Sequence, residues 1–77
     1  MSITLHNGRR YRTTISLGFV ERLASNDTIA EKFRAAGFSD IHVTGKGATR
    51  CAEGVWNGGE ITATLPPQIT DVSEVSA

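Results

Sequence analysis

The chain has 77 residues, of which 39% are hydrophobic and 21% charged, with no net charge at neutral pH; these values suit one small folded domain over residues 1–77 and exclude a disordered chain. No apolar run approaches the roughly 18 residues of a membrane span, and the first residues lack the basic-then-apolar pattern of a secretory signal, so no membrane association is expected. The single cysteine, Cys51, cannot close an internal disulfide, whereas a secreted domain this small usually carries several; a cytoplasmic, reducing location is therefore expected.

In chain order, Ile3-Thr4-Leu5 is followed by the turn signal Asn7-Gly8 and then by an alternating run. Tyr11, Thr13, Ile15 and Leu17 fall on one face of that run, with Arg10, Arg12, Thr14 and Ser16 on the other, the pattern of a half-buried strand. A tight hairpin at Asn7-Gly8 would set Leu5 opposite Arg10 on the polar face. The first residues are therefore expected to pair loosely, use a longer loop or fray; residues 1–8 and 76–77 are the stretches where fraying is expected.

Two helices are expected next. Phe19, Val20, Leu23 and Ala24 recur at helical spacing and predict a short helix over residues 18–24, ended by Ser25-Asn26-Asp27. Thr28 followed by Glu31 is a capping-box pattern. Ile29, Ala30, Phe33 and Ala36 form the apolar stripe of a second helix over residues 29–36. Gly37 sits where a left-handed stop belongs, and Phe38 is placed to fold back on Phe33.

The remainder reads as strands: residues 40–44, 49–56 and 60–65, separated by Gly45-Lys46-Gly47-Ala48 and Asn57-Gly58-Gly59 and stopped by Pro66-Pro67. Residues 68–75 read as an edge strand. A two-residue loop at Gly58-Gly59 would set Trp56 opposite Ile61. A turn centred on Lys46-Gly47 would set Val43 opposite Arg50 and His42 opposite Cys51. One face then collects Ile41, Val43, Ala52, Trp56, Ile61, Ala63 and Leu65, and is expected to lie under the helices. The other collects His42, Thr44, Thr49, Cys51, Glu53, Val55, Thr62 and Thr64, and is expected to be open. The fold class is α+β, with a mainly antiparallel sheet of four or five strands, one or two helices on one face, and the order β-α-α-β-β-β.

Charge is unevenly placed. All eight basic residues lie in residues 1–50 beside four acids, a net of +4; residues 51–77 hold four acids and no base, a net of −4. Such asymmetry suits internal neutralisation, pairing between copies or a basic binding face. His6, His42 and Cys51 have no finger-like spacing, so no metal site or cofactor is expected. Gly45-Lys46-Gly47 leads into a strand rather than a helix, which reads as a hairpin tip and not a phosphate loop. No serine or cysteine sits in a catalytic motif, and no catalytic residue is assigned. An opposed Cys51–His42 pair would make a reactive thiol, but nothing in the sequence orients the imidazole.

Two binding readings remain. The first is a non-catalytic protein-interaction or assembly module acting through the open sheet face or an edge strand, on another protein or on a second copy of itself. Arg10, Arg12, His42, Thr44, Cys51 and Glu53 are its candidate binding residues. The alternative is a small nucleic-acid-binding protein using Arg9, Arg10, Arg12 and Lys46, with Arg50 near them. The open face offers that reading no exposed aromatic side chain on which bases would stack.

Overall fold

The computed structural model describes residues 2–18 and 23–75. Six strands and one helix follow in the order β1 (Ser2–Leu5), β2 (Arg10–Ser16), α1 (Asn26–Ala36), β3 (Phe38–Lys46), β4 (Thr49–Trp56), β5 (Ile61–Thr64) and β6 (Ile69–Val75). The α+β class and the antiparallel pairing agree with expectation, but the element order does not. The described residues contain one helix, and the helix expected over residues 18–24 falls mostly on residues 19–22, outside them. No helix among the described residues is long and apolar enough to cross a membrane.

Helix α1 begins one turn earlier than the capping box implies. Ser25, not Thr28, is the N-cap: its backbone is extended, and its hydroxyl accepts the Thr28 amide at 3.1 Å. The end is as read from the sequence. Gly37 adopts the left-handed conformation (φ 119°), and its amide caps the last carbonyls. Phe38 packs edge-on against Phe33, with ring centres 5.8 Å apart.

Strands β3, β4, β2 and β6 form a four-stranded antiparallel sheet in that order, and β1 pairs with β5 in a separate ribbon. Three expectations are corrected here. First, β5 does not form a hairpin with β4. Strand β4 is central, with β2 along one edge and β3 along the other, and has no edge left for β5. Second, residues 2–5 are paired rather than loose. The ribbon register Ile3↔Ala63 and Leu5↔Ile61 takes Leu5 off the polar face and buries it. Third, the β3–β4 register is Val43↔Ala52 and Thr44↔Cys51, two residues from that expected, because the turn is made by Gly47-Ala48 and the strand continues through Lys46. A shift of two leaves every side chain on its expected face.

The inner face is covered in two parts. Under α1, Ile15, Ala52 and Ile29 are buried, with Val43 and Phe33 packed beside them. Under the ribbon, Tyr11, Trp56 and Leu5 are buried against Ile3, Phe38 and Val72. Ile61, expected beside Trp56, is instead 43% exposed. The polar atoms that go inside are bonded. Thr13 donates to the Asp71 carbonyl at 2.7 Å, the Tyr11 hydroxyl accepts the His6 amide at 2.8 Å, and the Trp56 indole donates to the Gly59 carbonyl at 2.8 Å.

The Trp56 ring leaves no room at Gly58. A Cβ there would stand 2.3 Å from Cζ2 of the indole. Gly58→Ala is therefore expected to destabilise the fold by about 1–3 kcal/mol, the usual cost of overpacking. In a Trp56→Phe background the same change should cost less. Urea denaturation of the four variants of this cycle provides the check, and equal costs in both backgrounds would refute the contact.

Candidate functional site

The six residues selected from the sequence all fall on the open face, because their strands alternate and the other face is covered. Pairing carries rows across the strands. His42, Glu53, Arg12 and Ser73 form one row, and Thr44, Cys51, Thr14 and Asp71 the next. Arg12, His42, Thr44, Cys51 and Glu53 line a shallow depression of about 330 Å³.

Glu53 organises this surface. Arg12 donates to its Oε1 through Nε at 3.2 Å and Nη2 at 3.0 Å, and Arg10 reaches its Oε2 at 3.0 Å. Arg10 also pairs with the Asp40 carboxylate, and His42 Nε2 lies 3.4 Å from Asp40 Oδ1. The hydrogen bond from Arg12, with help from Arg10, holds the Glu53 carboxyl below its ordinary value. Arg10, with a smaller contribution from His42, does the same for Asp40. The result is a chain of alternating charges, Asp40–Arg10–Glu53–Arg12, with His42 beside Asp40.

Asp40 escaped the sequence reading. It lies at the irregularity in β3, where the register to β4 shifts between Ser39 and His42, and its φ of 49° is left-handed. The one signal for it is residue type, since aspartate tolerates that conformation better than most. The expected opposition of His42 and Cys51 is corrected. Glu53 faces His42, and the half-buried Cys51 stands between Thr44 and Thr14.

The basic cluster is also rearranged. Strand β2, which carries Arg10 and Arg12, is interior to the sheet, between β4 and β6. Arg9 approaches Glu74 at 3.8 Å. Arg50 belongs to the inner face and is buried, donating to the Asn26 side chain at 2.8 Å and to the Gly47 carbonyl at 3.1 Å. Arg10 and Arg12 keep their expected place on the open face, and Lys46 lies opposite Thr49 at the end of β3.

The two edges of the sheet differ. Strand β3 is bulged at Asp40 and covered on its inner side by α1, features that discourage a further strand. Strand β6 has its irregularity near its start, opposite Thr14 and Ile15; from residue 71 to 75 its register with β2 is regular. A separate cleft of about 500 Å³ lies between α1 and the segment before β6, lined by Ile15, Leu17, Ala24, Ile29, Phe33 and Leu65 among others. Its rim runs to Leu17 and Ala24, on either side of residues 19–22.

No family model matches the chain, and neither the curated proteins nor the solved structures contain a match to it.

Because both carboxylates are depressed in the folded chain, their contribution to stability is present above the ordinary carboxylate range. It is lost as pH falls through the folded values. Acidification below about pH 4 should weaken the fold, and Arg12→Ala should move the Glu53 titration upward. Carbon-detected NMR titration of the carboxyls measures this; a Glu53 midpoint unmoved by Arg12→Ala would dismiss the pairing. His42→Ala is expected to leave the rate of Cys51 alkylation unchanged.

Proposed function

We propose that this chain is a non-catalytic protein-interaction module that accepts an extended segment along β6. The carrying observation is the state of that edge. On β2 the register to β4 is constant, and both Trp56 N–H to Arg9 O and Leu17 N–H to Ala48 O run between them. Odd-numbered residues of β2 therefore bond to β4, and Arg10, Arg12 and Thr14 turn toward β6. Their partners Val75, Ser73 and Asp71 use their backbone groups on β2. Val72 and Glu74 lie between them and direct their N–H and C=O outward. No hydrogen bond to these groups occurs among the described residues. A row of this kind is the template for strand addition.

The charge network favours this reading over nucleic acid. Arg10 and Arg12 already bond carboxylates, so a phosphate would have to displace Glu53 and Asp40. The open face then acts as a solvated, self-neutralised surface beside a working edge.

Heptapeptides selected for binding from a displayed library supply the test. Binders are expected to slow hydrogen exchange at the Val72 and Glu74 amides and to leave α1 unchanged. Protection at Arg10, Arg12 and Glu53 without protection at β6 would move the site to the open face. Tight binding of DNA or RNA that weakens steeply with salt, and is lost in Arg10→Ala, would replace this reading with the nucleic-acid one.

A further inference from the structure

We infer that the strand received by β6 is β6 of a second copy, paired antiparallel about a two-fold axis at Ser73. This rests on the reading of β6 as the working edge and names its partner. The regular stretch of β6 is residues 71–75, and Ser73 is its centre. Antiparallel pairing about that centre sets Val72 opposite Glu74 of the other copy, and Glu74 opposite Val72. These are the two residues whose backbone groups point outward, so each pair exchanges both of its hydrogen bonds, four in all. A two-fold at Val72 would instead bring the irregular Thr70 opposite Glu74, and one between Val72 and Ser73 would set outward-facing groups against inward-facing ones. One at Asp71 would oppose two aspartates.

Side chains agree with the same register. Asp71 meets Val75, Ser73 meets Ser73, and Glu74 meets Val72, so no acid stands directly opposite another. Arg9, 3.8 Å from Glu74 within each copy, offsets the charge of the two glutamates near the axis. Head-to-tail growth is disfavoured because the opposite edge, β3, is bulged at Asp40; an isologous pair closes instead. The two four-stranded sheets become one of eight strands. Five residues from each copy make a small contact, so the pair exchanges with monomer and its population depends on concentration.

Sedimentation of the full chain at increasing concentration should show the mass rising from 8.3 kDa toward twice that value. Glu74→Pro removes an outward N–H that β2 does not use, so the variant should fold with an unchanged circular dichroism spectrum and stay monomeric. Register is read by cross-linking in a Cys51→Ser background. Directly opposed residues at a non-hydrogen-bonded site lie about 4.5 Å apart at Cα, within disulfide reach. Ser73→Cys should oxidise to a dimer at least about tenfold faster than Val72→Cys or Glu74→Cys, because only residue 73 meets its own copy. A chain that remains monomeric at millimolar concentration, or equal cross-linking at all three positions, overturns the proposal. Peptide-induced protection of Val72 and Glu74 in such a monomer would leave the edge reading standing and remove the self-pairing alone.

Discussion

The fold depends on the seating of one indole ring. Trp56 ends β4 and lies against Phe38 at a ring-centre distance of 5.1 Å, while Phe38 lies against Phe33 of α1. A Cβ on Gly37, the helix stop, would come within 3.0 Å of the ring, and one on Gly58 within 2.3 Å. Three backbone hydrogen bonds tie the turn after β1 and the helix stop to the chain around Trp56. Its carbonyl accepts the Gly8 amide at 2.7 Å, its amide donates to Arg9 at 2.9 Å, and Asn57 donates to Gly37 at 3.0 Å. The end of the helix, the turn after β1 and the loop after β4 therefore meet at one side chain, and a change in any of them is felt by the others.

That seating explains why the chain divides into a sheet and a ribbon. The loop after Trp56 is held by the indole bond to Gly59 and by the Asn7 side chain, which donates to the carbonyls of Asn57 and Gly58. Held there, the chain leaves the plane of the four-stranded sheet and returns as β5 across the inner face, where β1 meets it. Leu5 then joins Tyr11 and Trp56 in the second half of the core. A domain this small gains from the arrangement, since one sheet face is closed by two different elements rather than by a helix alone.

The opposite face needs no cover because its charges neutralise one another. Arg10 and Arg12 converge on Glu53 across the β2–β4 pair, and Asp40 extends the chain of charges to β3. Exposed pairs of this kind contribute little stability individually. Their larger effect is on recognition: they reduce the free positive charge of the arginine cluster and leave the edges as the places where the backbone itself is available. The bulge at Asp40 then distinguishes the two edges, which makes one residue with a left-handed backbone relevant both to the charge network and to the direction in which the sheet can grow.

Several of these features were legible in the residue order. Alternation in Tyr11-Arg12-Thr13-Thr14-Ile15 and in residues 49–56 assigned each side chain to a face, and an even slip in register cannot undo such an assignment. The stop at Gly37 and the return of Phe38 onto Phe33 were legible because they are made by neighbours in sequence. The six open-face candidates followed from the same alternation. What pairs with what was decided only in three dimensions. The β3–β4 turn fell one residue from its expected place, shifting the register by two, because several glycines offered alternative turns. Strand β5 went to β1 because β2 and β3 had already occupied both edges of β4. Asp40 acquired its role from β2 and Arg50 from the start of α1, both distant in sequence. Periodicity is a local property and fixes faces; strand order and register depend on which edges remain free once distant segments have packed, and no single segment carries that information.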